Sequence, residues 1–176
     1  MLGQISCSSF RNLENPHWQP GPGCHLVLGP NGAGKTSLLE AIYLLATTRS
    51  FRTTQLQDCA RHGTTEFYLQ GEVEVDQRVR VELSWGPRGR QRTLNGNTTS
   101  LIDHLRVLPV VAWTVEDREI LNGPPEKRRR FLDQGIVGTR PAALEVLARF
   151  RRTLAQKRQL LLGDDRGLRS WNELLA

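Results

Sequence analysis

Apolar and polar residues alternate along the middle of the chain. Val73, Val75, Val79, Val81 and Leu83 interleave with Glu72, Glu74, Arg78, Arg80 and Glu82, and Asp76-Gln77 breaks the run. A period of two sends the sets to opposite faces of a pleated strand, which predicts an antiparallel hairpin with one face buried. Turn residues at Gly86-Pro87-Arg88-Gly89 and an Asn95-Gly96 pair extend it to a small antiparallel sheet. Upstream, residues 2–10 read as an opening strand. A loop rich in Pro and Gly (Pro16, Pro20, Gly21, Pro22, Gly23) then leads to Cys24-His25-Leu26-Val27-Leu28, an apolar run that reads as a buried strand.

The period then changes. Ser37 to Ala46 is rich in helix formers and free of Gly and Pro, which predicts a helix from Lys35 that fades near Thr47-Thr48. Val107 to Val115 reads as a central strand running into Glu116-Asp117. Gly123-Pro124-Pro125 marks the start of another helix. From Pro141 to Leu162 a longer one is expected: Leu147, Leu154 and Leu161 recur every seven residues beside Leu144 and Phe150, a coiled-coil or bundle seam that Lys157 interrupts. Gly163-Asp164-Asp165 is expected to stop it, and Ser170 to Ala176 to begin a further helix.

Between the apolar run and the first helix lies Gly29-Pro30-Asn31-Gly32-Ala33-Gly34-Lys35-Thr36, which fits G-x-x-x-x-G-K-[ST] at every fixed position. Strand, glycine loop and helix form the context that gives this motif meaning. The glycines let the backbone curl and turn its N–H groups inward, and the helix points its positive end at the same place. Lys35 would reach the outer phosphates of a nucleotide triphosphate, and Thr36 would ligate Mg²⁺ through its hydroxyl, with Ser37 beside it.

The chain has 176 residues and a hydrophobic share of 38%, enough for one domain or one domain and part of another. No segment has the apolar length of a membrane span, and the first residues lack a signal core, so the expected compartment is the cytoplasm. Three scattered cysteines (Cys7, Cys24, Cys59) suggest reduced thiols, and neither they nor the four histidines have metal-ligand spacing. The formal charge of +6 is carried mainly by arginine, whose planar fork matches phosphate. That balance fits a nucleic-acid partner and fits a solvated basic surface equally well. Lys127-Arg128-Arg129-Arg130 could grip phosphates or face water, because consecutive residues spread around a helix. A Walker-B reading of Val107 to Asp117 is open, although the usual order is Asp then Glu and Thr114 interrupts the apolar run. Ser/His/Asp and Cys/His nucleophile arrangements are not evident.

Taken in order, these motifs resemble the amino-terminal half of the RecF family, relatives of SMC proteins and ABC ATPase heads. The resemblance rests on Phe10-Arg11-Asn12, the phosphate loop with Leu38-Leu39-Glu40-Ala41-Ile42, Arg49-Ser50-Phe51-Arg52-Thr53, Arg61-His62-Gly63, Leu94-Asn95-Gly96 and Val110 to Asp117. It continues through Gly123-Pro124-Pro125, Arg129-Arg130-Phe131-Leu132-Asp133-Gln134-Gly135 and Gln156-Lys157-Arg158. Val115 stands where the family usually has proline before the acidic pair.

The resemblance implies an α/β P-loop NTPase of the ABC-ATPase-head type, with an inserted antiparallel β-subdomain and the start of a helical second domain. Residues 1–138 would form the head lobe and 139–176 the beginning of the helical domain, with an incomplete sheet. It implies ATP and Mg²⁺ held by Gly29 to Ser37, with Arg11 and Asn12 near the nucleotide. It implies a DNA replication and recombinational repair function (gap repair, RecA loading, the SOS response) with single- and double-stranded DNA, RecO and RecR as partners. Arg128, Arg129, Arg130, Arg149, Arg151 and Arg152 are the candidate DNA contacts. The family's later serine-glycine signature and Walker-B Asp-Glu are not found in this sequence. Poor hydrolysis is therefore expected, together with self-association or another chain supplying the remaining elements. The alternatives are a head of another SMC or ABC type and a non-catalytic nucleotide-binding module.

Overall fold

In a computed structural model of the chain, residues 1–163 are described, as two units, Met1–Val115 and a second beginning at Glu116. The first is built on a six-stranded antiparallel sheet in the order β2-β1-β3-β4-β5-β6. The strands are β1 (Leu2–Ser8), β2 (His17–Trp18), β3 (Phe67–Glu74), β4 (Arg78–Gly86), β5 (Gly89–Leu94) and β6 (Asn97–Thr98). The alternating stretch forms the β3–β4 hairpin, in which Leu69 faces Leu83, Gly71 faces Val81 and Val73 faces Val79. Directly opposed residues share a face, so these pairs join Ile5 and Cys7 of β1 in one buried layer, while Val75 lies exposed beyond the end of β3. Asn95 and Gly96 both take positive φ, the two-residue turn that joins β5 to β6.

Helix α1 (Lys35–Thr47) packs on the buried layer through Ala41, Leu44 and Leu45. The approach is close: a Cβ at Gly71 would lie 2.7 Å from Leu45 Cδ2. Thr48 ends the helix in the left-handed region, φ 59°, with its N–H on the Leu44 carbonyl. Helix α2 (Leu101–Val107) is capped by Ser100, whose hydroxyl accepts from the Asp103 N–H, and it brings His104 into the core.

Two expected strands are not formed. Residues 24–28 run without strand pairing, and Leu26 and Leu28 are 81% and 79% exposed. Val107 closes α2 instead of opening a strand, and residues 108–114 likewise form no strand, with Val111 and Trp113 exposed. An apolar run becomes a strand only when neighbouring backbones take up its N–H and C=O groups. Among the described residues no strand lies alongside either segment. Glu116 and Asp117 sit in a 3-10 turn (Val115–Arg118), not at the end of a paired strand.

The second unit contains α3 (Glu119–Asn122), α4 (Pro125–Thr139) and α5 (Ala143–Gly163). Pro125 occupies the first helical position of α4, where its missing N–H costs nothing. Along α5, Leu144, Leu147 and Leu154 are half-buried, whereas Phe150 and Leu161 are exposed. The expected helix at Ser170 to Ala176 lies outside the described residues.

Candidate phosphate-binding site and its buried carboxylate

The glycine loop follows residues 24–28, and its last two residues, Lys35 and Thr36, open α1. Gly32 and Gly34 have φ of 84° and 91°, conformations that a side chain disfavours. At Gly34 there is also no room, since a Cβ would lie 2.7 Å from Leu13 Cδ2. The loop is exposed from Gly29 to Ala33, and Lys35 Nζ donates to the carbonyls of Gly29 and Pro30, each at 2.8 Å. An ammonium parked on two solvent-facing carbonyls at a helix N-terminus is placed to exchange them for phosphate oxygens. Thr36 is exposed on the first turn.

Ser37 and Asn12 do a different job. Ser37 is buried, and its hydroxyl donates to Asn12 Oδ1 at 2.8 Å, while the Asn12 amide donates to the Gly32 carbonyl. Asn12 thus straps the loop to the first turn of α1. Arg11, the adjacent residue, turns to the flank of that helix. Its Nε and Nη2 donate to the two carboxylate oxygens of Glu40 at 3.0 and 2.7 Å, and Nη1 donates to the Asp58 carbonyl. The guanidinium is committed to these protein acceptors.

Glu40 is a residue whose role the amino-acid sequence did not reveal. It is fully buried on α1 and receives, besides the Arg11 pair, the Ser50 hydroxyl at 2.5 Å and Arg52 Nη1 at 3.1 Å. Burial is the largest single influence on its acidity and works upward. The hydrogen bonds from Arg11 and Ser50 and the charges of Arg11 and Arg52 together outweigh it, so Glu40 stays below the ordinary carboxylate value and ionised. Cys59, 3.8 Å from the same carboxylate, is pushed to about 11 by burial and then by that negative charge. The motifs Phe10-Arg11-Asn12 and Arg49-Ser50-Phe51-Arg52, far apart in sequence, thus meet on one helix through one carboxylate. A glutamate among Leu39, Ala41, Leu44 and Leu45 with arginines elsewhere was the available signal, since a charge on a core face needs partners.

The arginines proposed for DNA contact lie on α4 and α5. Arg128, Arg129, Arg130, Arg149, Arg151 and Arg152 are all exposed. Arg128 Nη1 donates to the Gly123 carbonyl at 3.1 Å, and Arg151 pairs with Asp133. Among the described residues no cluster of His, Cys, Asp and Glu could hold a metal, and no helix is long and apolar enough to cross a membrane.

Residues 1–108 match the family described as RecF/RecN/SMC N terminal domain. The chain belongs to that family. It is 35% identical over 166 residues to the DNA replication and repair protein RecF of Chlorobium limicola, covering 92% of this chain and 46% of the relative. The RecF of Erwinia tasmaniensis is 33% identical over 180 residues, covering 99% and 50%. The chain therefore spans about half the length of the curated relatives it matches. Among solved structures, the recombination mediator protein RecF-ATPrS superposes with a TM-score of 0.87 at 30% identity, over 99% of this chain and 50% of that one. The corresponding RecF-ATP structure gives 0.83 at 30% identity, over 99% and 49%. An SMC head bound to the C-winged helix domain of ScpA, 17% identical, shares the fold at a TM-score of 0.58, over 75% and 50%. The architecture is thus that of an ABC-ATPase-type head, as the RecF resemblance implied.

Proposed function

We propose that this chain is a RecF-type, nucleotide-dependent DNA-binding protein of DNA replication and recombinational repair. The observation that carries the reading is the loop Gly29 to Thr36, which sets Lys35 on two exchangeable carbonyls under an Asn12–Ser37 strap. It is supported by a fold closely similar to that of the protein solved as RecF-ATP. The residues fit a triphosphate. Left-handed glycines curl the loop at the start of α1, and Lys35 supplies the charge. Thr36 is the residue that would hold Mg²⁺ through its hydroxyl. ATP with Mg²⁺, when bound, supplies the polyphosphate charge that this cradle neutralises. Asn12 and Ser37 keep the loop's curvature, and Arg11 holds the flank of α1 through Glu40.

DNA contact in this reading is made mainly to phosphates by arginines, including those of α4 and α5, with partners of the RecFOR pathway and a further chain or copy completing the assembly. The direct test is Lys35→Ala measured by equilibrium ATP binding. Binding should fall by about tenfold or more while the melting temperature holds, because the hydrogen bonds of Lys35 among the described residues go to exposed loop carbonyls. Unchanged ATP affinity would overturn the proposal.

A further inference from the structure

We propose that Arg49, Arg90 and Arg92, gathered where β5 meets the C-terminal end of α1, form a second anion site that takes the phosphodiester backbone of DNA. The inference rests on the DNA-binding reading above and gives it a location in the first unit.

Strand register sets the face on which the β5 arginines stand. Arg92 pairs with Leu83 and Leu94 pairs with Val81, and both partners are buried. Residues directly opposed share a face, so Arg92, and Arg90 two positions earlier, stand on the side of the sheet that packs on the helices. An arginine on that side ordinarily meets a carboxylate. Here Arg90 Nη1 donates to the Thr48 carbonyl at 2.6 Å, at the end of α1, and Arg49 is the next residue. His104 of α2 closes the group, its Nε2 donating to the Leu45 carbonyl at 2.6 Å.

What the cluster lacks is negative charge. Among the described residues, Arg49, Arg90 and Arg92 take part in no ion pair. The Nε–H of Arg92 is buried with no hydrogen-bond partner among the described residues. Burial first, and then the charges of Arg92 and Arg49, push Arg90 below the usual arginine value, as expected of uncompensated neighbours. Burial and the same two β5 arginines lower His104, which stays neutral and adds no charge of its own. Arg90 accounts for the helix end by itself, whereas the guanidinium groups of Arg49 and Arg92 find no ion-pair partner among the described residues. Like charges are held together at a cost, and an anion would relieve it.

The shape favours a polymer over a small ion. Arg90 and Arg92 are spaced ~7 Å along one strand, Arg88 sits on the turn before them, and Arg49 flanks the row from the helix end. A row of cations with Arg49 and Arg90 exposed to solvent suits successive phosphates better than an enclosed cup would. On the opposite face of the sheet the cations already have counter-charges: Arg78 pairs with Glu72 and Glu74, and Arg80 stands opposite Glu72 on the face that also carries Glu82, itself hydrogen-bonded by Tyr68 and Thr93.

The test uses the full chain and a labelled DNA oligonucleotide carrying single- and double-stranded segments, titrated by fluorescence anisotropy across salt. The double variant R49Q/R92Q leaves the Arg90–Thr48 contact in place. Losing two phosphate contacts should reduce the slope of log affinity against log salt by about 1.8, so that from 50 to 200 mM salt wild type loses about tenfold more affinity than the variant. Arg90→Lys, which keeps the charge, should retain the wild-type slope, and ATP affinity of the double variant should be unchanged, reporting an intact fold. If wild type binds DNA and R49Q/R92Q binds with the same slope, the site is overturned while DNA binding stands. A slope that falls only in R128Q/R129Q/R130Q overturns it equally. If wild type fails to bind DNA at low salt, the broader functional reading falls with it.

Discussion

Removing the carboxylate of Glu40 tests whether the buried ion cluster holds the phosphate-loop helix in place. In Glu40→Ala, Arg11, only 17% exposed, loses both of its carboxylate hydrogen bonds and becomes a nearly buried unpaired charge. Breaking a buried pair from one side costs about 3–5 kcal/mol. Arg52 adds little, because its side chain is 43% exposed and water takes over its solvation. The lower end of the range, about 3 kcal/mol, is therefore expected, or a fall of about 6–12 °C in melting temperature for a chain of this size. Arg52→Ala should cost below about 1 kcal/mol, and the Arg11→Ala/Glu40→Ala cycle should return a coupling of about 2 kcal/mol. The assay is urea unfolding followed by circular dichroism. A pH series adds an independent check. Because the folded-state value of Glu40 lies below its ordinary 4.5, the clamp stabilises fully above pH 4.5 and is lost as pH falls beneath that value. Glu40→Gln should lack this acid-side loss. Glu40→Ala within about 0.5 kcal/mol of wild type, or equal costs for Arg11→Ala and Arg52→Ala, would refute the reasoning.

Other expected outcomes follow from the same geometry. Gly34→Ala forces a side chain into φ 91° and against Leu13, so it should cost about 1–3 kcal/mol and weaken ATP binding with it, measured by unfolding and by nucleotide titration. Gly71→Ala meets Leu45 at 2.7 Å and the Gln4 carbonyl at 3.1 Å, so overpacking of about 1–3 kcal/mol should appear in unfolding with ATP affinity retained at low temperature. His104, held neutral by burial with its value lowered from 6.5, stabilises the fold above pH 6.5 and ceases to do so as pH falls below it. Melting temperatures of wild type should therefore drop on that acid side, and those of His104→Gln should not follow.

The phosphate loop, α1, the β3–β4 hairpin and the Asn95-Gly96 turn were legible because each depends on residues close in sequence. The heptad pattern located α5, and Pro125 located the start of α4, for the same reason. Arg11 and Asn12 stood out in the sequence as a pair, but their separate tasks did not. Adjacent side chains diverge here, one to Glu40 and one to Gly32, and only the path of the chain decides which goes where.

The sequence alone determined the local grammar of this protein: which stretches coil, which alternate, and where glycine must turn a phosphate-binding loop. Those properties come from backbone sterics and side-chain period within a few residues. Tertiary structure alone decided that residues 24–28 and 108–114 form no strand despite apolar composition, because a ladder needs a second backbone. It also decided that Glu40 is neutralised by Arg11, 29 positions away, and that Arg90 and Arg92 gather beside Arg49 with no ion pair among the described residues. Coulomb and hydrogen-bond energies depend on distance in space, and the linear order of residues does not contain that distance.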